Sequence, residues 1–104
     1  GAVLGTMAYV APEQLRDARS AGPLADAYGL AATLYHLATG RTPTAAAVTV
    51  TQLRVRQHAS PPLASSINPE VPEELSRILD RGLQPDPAKR AGVEELRGAL
   101  EGLG

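Results

Sequence analysis

Apolar positions along the 104 residues recur at helical spacing rather than in strict alternation. Leu30, Leu34, Leu37 and Ala38 fall at i, i+4, i+7 and i+8 and predict a helix over about 24–39. Ala27, Ala31, Ala32 and Tyr35 extend its apolar character round most of the remaining surface, so this helix wants burial on most sides. Gly40 follows where a helix-stopping glycine belongs. Leu75, Ile78, Leu79 and Leu83 predict a second strong helix over about 73–83. Pro72 stands at its first position, Glu73 and Glu74 lie in its first turn, and Pro85-Asp86-Pro87 closes it. Val93, Leu96, Leu100 and Leu103 share one side of a last helix, about 93–103, which Gly98 and Gly102 weaken.

The remaining segments are less strongly patterned. Pro12, with Glu13 in the favourable first turn and Leu15 as the apolar side, opens a short helix after an extended or irregular stretch over 1–11. Residues 46–58 carry Val48, Thr49, Val50 and Thr51, β-branched types that suit strand as well as helix. Residues 17–23 and 59–72 read as loops, the second because four prolines fall in fourteen residues. No internal repeat is visible.

Composition narrows the picture. The chain is long enough for one domain at most. It has 43% hydrophobic and 20% charged residues, as an ordered globular chain does. It has no Phe and no Trp, and its aromatics are Tyr9, Tyr28 and Tyr35. A core of alanine and leucine buries little area per residue, while ordering each residue costs roughly 1.5 kcal/mol. Such a chain is marginal alone, and the expectation is loose packing or self-association unless something larger covers the helix at 24–39. A first residue Gly1 in place of Met fits a boundary with sequence upstream.

Net charge is -1 with no basic stripe, so nucleic acid is not an expected partner. Cysteine is absent, which excludes disulfide and thiol chemistry and fits a reducing compartment. The longest apolar run, Leu30 to Leu37, is interrupted by Thr33 and His36 and is far short of a membrane span. No membrane contact and no signal peptide are expected. His36 and His58 lack partners at metal-ligand spacing, and no Ser-His-Asp arrangement stands out. His36 reads as a satisfied or half-exposed helix residue.

Three segments carry a family resemblance. Gly5-Thr6-Met7-Ala8-Tyr9-Val10-Ala11-Pro12-Glu13-Gln14 resembles the end of the activation segment of serine/threonine protein kinases, running through the substrate-facing loop into the Ala-Pro-Glu motif. Asp26-Ala27-Tyr28-Gly29-Leu30, continuing through Leu34-Tyr35-His36-Leu37-Ala38-Thr39-Gly40-Arg41-Thr42-Pro43, resembles the central helix of the large lobe and the turn after it. Asp86-Pro87-Ala88-Lys89-Arg90 resembles the turn before the last helix. Order and spacing agree too, and the proline-rich stretch with Val71-Pro72-Glu73-Glu74-Leu75 is most similar to bacterial kinases of the eukaryotic type. Three residues depart from the family's habits: Met7, Ala31 and Thr44, which stand where a small residue or proline, a glycine and an anchoring Phe are more usual. They point to a divergent or degenerate parent.

The resemblance implies a mainly-α fold, a partial protein-kinase large (C-terminal) lobe over 1–104, with the activation segment ending within 1–16. It also selects helix over strand at 46–58. It implies that Glu13 and Arg90 pair and tie the activation segment to the base of the lobe. Asp26 would accept backbone hydrogen bonds from the catalytic loop; taken alone, it is an acid near a helix start. Thr6 and Tyr9 would belong to the substrate-side loop. Catalytic residues are not expected in this chain. It has no G-x-G-x-x-G, no His-Arg-Asp and no Asp-Phe-Gly, and its single lysine, Lys89, lies in the last turn. ATP and Mg are therefore expected of the parent protein and not of this segment, which would be inactive alone. Expected partners are the missing N-terminal portion of the kinase domain and a protein substrate presenting Ser or Thr, in the cytoplasm. The competing class is a standalone helical interaction module, or a degenerate kinase remnant, that binds a protein through the apolar central helix.

Overall fold

Proline opens the first two helices. Pro12 starts α1 (Pro12–Arg16) and Pro23 starts α2 (Pro23–Thr39), each at a position whose missing N–H would have had no partner in the helix. The computed structural model describes residues 9–20, 22–44, 49–57 and 60–103. A short 3-10 helix, Ala18–Ser20, links α1 to α2. Then follow α3 (Val50–Gln57), α4 (Ala64–Ile67), α5 (Glu73–Gly82), a 3-10 helix at Pro87–Lys89, and α6 (Val93–Leu103). There is no strand among the described residues, so the mainly-α class stands.

At its C-terminus α2 runs into Gly40, whose φ of 76° is left-handed and whose N–H reaches the His36 carbonyl at 2.8 Å. The Asn68 side chain donates to the Ala38 carbonyl at 2.9 Å and so satisfies another acceptor of the last turn.

The face that α2 buries differs from the leucine stripe expected of it. Ala25, Ala27, Tyr28, Ala31, Ala32 and Tyr35 are buried, Leu30 and Leu34 are half-buried, and Leu37 is 78% exposed. The cause is the close approach of α5. A Cβ built on Gly82 would lie 2.7 Å from the Ala31 Cβ and 3.1 Å from Leu96 Cδ2. Helices that come this near need small residues at the contact, so alanine faces inward and the leucines are displaced to the flanks. From α5 the buried residues are Ser76, Ile78, Leu79 and Gly82, followed by Leu83, and α6 contributes fully buried Leu96 with Val93 and Ala99 packed beside it.

The stretch 59–72 is not all loop. Prolines 61, 62 and 69 bracket a gap wide enough for one helical turn, and α4 fills it. Ser76 is buried, and its Oγ accepts from the Ser65 N–H at 2.7 Å, which anchors α4 on α5. The Tyr35 hydroxyl donates to the Pro62 carbonyl at 2.7 Å and holds the preceding prolines to α2. Of the expected helix at 46–58, Val50–Gln57 is helical and Thr49 precedes it; residues 46–48 and 58 lie outside the described residues.

Candidate functional site

Two local structures bring residues 77 positions apart into contact. In α1, the Gln14 side chain accepts from the Ala11 N–H at 3.0 Å, which fixes the first turn and points Glu13 inward. Before α6, Asp86 Oδ1 accepts from the Ala88 N–H at 3.0 Å, and the Asp86 carbonyl accepts from the Lys89 N–H at 3.0 Å. This turn, rigid because Pro85 and Pro87 flank Asp86, delivers Arg90 into the interior.

Arg90 and Glu13 meet side by side. Arg90 Nη1 donates to Glu13 Oε2 at 2.7 Å and Nη2 donates to Oε1 at 2.9 Å. This is the bidentate arrangement a planar guanidinium favours. Arg90 Nε donates to the Gln84 carbonyl at 2.9 Å, Nη1 to the Leu24 carbonyl at 2.9 Å, and Nη2 to the Pro85 carbonyl at 3.1 Å. All five N–H groups of the guanidinium are thereby used. Its carbon also lies 5.2 Å from the centroid of the buried Tyr28 ring, within range of a cation–π contact. The Arg90 side chain is 0% exposed and that of Glu13 is 12% exposed. Burial by itself would raise the Glu13 carboxyl; the Arg90 hydrogen bonds and charge, with Glu13's own backbone and Arg16, outweigh it and hold the group below its ordinary value. The clasp ties α1, the first turn of α2 and the start of α6 together at one point.

Asp26 does not join this cluster. It is exposed on the first turn of α2, where a negative charge meets the positive end of the helix dipole. Its N–H bonds to the Gly22 carbonyl at 3.0 Å. Thr6 lies outside the described residues.

Tyr9 sits on α2. Its hydroxyl bonds to His36 Nδ1 at 2.5 Å, and the two rings stack with centroids 6.0 Å apart. The Tyr9 carbonyl rests against Gly29, where an added Cβ would come within 3.3 Å of it. Sequence reasoning took Tyr9 and His36 separately and missed their pairing, because 27 residues separate them. It likewise missed Tyr28 under the guanidinium and the three carbonyls that complete the Arg90 shell. One local signal was readable: Asp86-Pro87 marks a fixed turn immediately before Arg90.

Among the described residues, no three His, Cys, Asp or Glu side chains gather where they could hold a metal ion. Lys89, the single lysine, is exposed in its 3-10 helix. No helix among the described residues is long and apolar enough to cross a membrane.

The sequence matches the protein kinase domain family over residues 2–99. It is 34% identical over 90 residues to the serine/threonine-protein kinase PknL of Mycobacterium tuberculosis, covering 86% of this chain and 22% of that protein. It is 34% identical over 100 residues to the probable serine/threonine-protein kinase PkwA of Thermomonospora curvata, covering 96% of this chain and 13% of that one. With the serine/threonine-protein kinase PrkC of Bacillus subtilis it shares 34% identity over 93 residues, 89% of this chain and 14% of the relative. The chain thus spans between 13% and 22% of the length of these relatives. With nearly its whole length matched, this chain belongs to the protein kinase domain family.

Proposed function

We propose that this chain is the substrate-side, helical part of an ATP-dependent serine/threonine protein kinase, from the end of the activation segment onward. The observation that carries the reading is the buried bidentate pair of Glu13 with Arg90. It fastens the Ala11-Pro12-Glu13 segment to the turn before the last helix, the two places that the kinase resemblance joins. In this reading the chain contributes to rate by positioning, and the groups that handle phosphate lie upstream.

The other assignments follow from the same reading. Thr6 and Tyr9 belong to the loop that faces the Ser or Thr substrate. Asp26 is exposed at the start of α2, free in position to receive backbone N–H groups of a catalytic loop supplied by the preceding part of the domain. Half-buried Leu30 and Leu34 and exposed Leu37 give α2 an apolar flank for that same part to cover. ATP and Mg bind to the complete domain, which works in the cytoplasm on a protein substrate.

The test is a pair of measurements. The complete domain should transfer phosphate from ATP to a Ser/Thr peptide, and the 104-residue chain alone should give no heat of Mg-ATP binding by calorimetry. Saturable micromolar binding to the chain alone, or a complete domain with no transfer, would refute the proposal.

A further inference from the structure

The Glu13 clasp holds the segment 9–17 at its middle; a separate contact holds it at Tyr9. Gly29 and His36 stand seven positions apart, two turns along one face of α2. The first receives the Tyr9 carbonyl and the second receives the Tyr9 hydroxyl and ring. Backbone and side chain of one residue are therefore both located on a single helix.

The chemistry of the hydrogen bond has a direction. A phenol is a good donor and a neutral imidazole nitrogen is a good acceptor, whereas a phenol oxygen accepts poorly. When Tyr9 is the donor to Nδ1, the tautomer that accepts is the one with its proton on Nε2. The bond links two half-buried residues, so an apolar replacement at 36 leaves the hydroxyl of Tyr9 without its acceptor.

We propose that His36 is a positioning residue for the substrate-side loop: it acts through Tyr9, whose ring and hydroxyl it holds against α2. This rests on the reading that the loop containing Tyr9 faces the substrate. His36 touches no reacting atom in this proposal. Loss of the seat leaves the phosphate-handling groups intact and loosens the surface on which a peptide is received.

The experiment uses the complete kinase domain, with kcat and KM measured for a Ser/Thr peptide and the thermal midpoint recorded for each variant. His36→Leu and Tyr9→Phe should each raise peptide KM roughly two- to tenfold, the range of one hydrogen bond, with kcat and the KM for ATP little changed. Their effects should not add in the double variant, because both remove the same bond. His36→Asn places an acceptor near the position of Nδ1 and should restore KM, while His36→Gln, whose acceptor lies further out, should restore it less. If His36→Leu does not fold, Tyr9→Phe with the Asn and Gln pair carries the test. Unchanged peptide KM in active Tyr9→Phe and His36→Leu enzymes, or additive effects, would overturn this inference alone. A wild-type domain that phosphorylates no peptide would overturn the reading beneath it and this inference with it.

Discussion

Replacing Arg90 by methionine removes a cation that no water replaces. The side chain is 0% exposed, and its five donors serve a carboxylate and the carbonyls of Leu24, Gln84 and Pro85. Methionine fills the volume and serves none of them. The substitution therefore strands a carboxylate that is 12% exposed together with three carbonyls. Removing one partner of a buried ion pair costs about 3–5 kcal/mol, and a domain of this size has about 5–15 kcal/mol in all. Glu13→Gln is milder: Arg90 keeps its three carbonyls and the Tyr28 face, and the expected loss is about 1–3 kcal/mol. Replacing both should not return the chain to wild-type stability, as it can for a simple ion pair, because the three carbonyls stay unpaired. Urea unfolding of wild type, both single variants and the double variant measures this, with slopes compared to check that each unfolds in one step. The acid side supplies a second reading. Glu13 titrates below its ordinary value when folded, so its contribution is complete above the ordinary carboxylate range and is lost as pH falls through the lowered value. Glu13→Gln should flatten that part of the acid dependence. An Arg90→Met chain losing less than about 1 kcal/mol, or no more than Glu13→Gln, would refute the account of a saturated, buried guanidinium.

Three further outcomes are expected. Gly82→Ala should destabilise by about 1–3 kcal/mol in thermal unfolding although alanine is the better helix former, since the new Cβ would lie 2.7 Å from the Ala31 Cβ. Thr44→Val should raise stability by about 1 kcal/mol, because Thr44 is only 5% exposed and its buried hydroxyl oxygen has no hydrogen-bond partner among the described residues; denaturant midpoints decide it. Burial raises the Tyr35 hydroxyl, only partly opposed by the Arg41 charge, so its contribution is complete below the ordinary phenol range and lost as pH rises toward the raised value. Tyr35→Phe should cost about 1 kcal/mol at neutral pH, through the bond to the Pro62 carbonyl, and should flatten the alkaline loss.

Residues with a local signature were legible in the sequence; those defined by a distant neighbour were not. Periodicity and proline placed helices near where α2, α5 and α6 run, because both act within one turn of chain. Periodicity could not say which face of α2 turns inward. That depends on Gly82, a residue on another helix, whose lack of a side chain draws α5 toward the alanines and leaves Leu37 outside. The single turn α4 was hidden by the prolines around it, its order supplied by the buried hydroxyl of Ser76. The Glu13–Arg90 pair was anticipated through likeness to kinases; nothing local to either residue announces a partner 77 positions away. Tyr9 with His36 had no such guide.

One helix here has no independent existence. At five residues, α1 is too short to persist in water by its own hydrogen bonds. What keeps it wound is the carboxylate in its first turn, gripped from the far end of the chain, with Arg54 of α3 donating to the Leu15 carbonyl at 3.1 Å as a lighter support. Opening of that grip and fraying of the helix are then a single event. The amides of Gln14 and Leu15, bonded to the Ala11 carbonyl, should exchange with deuterated solvent together, at a rate that reports the clasp rather than the whole molecule.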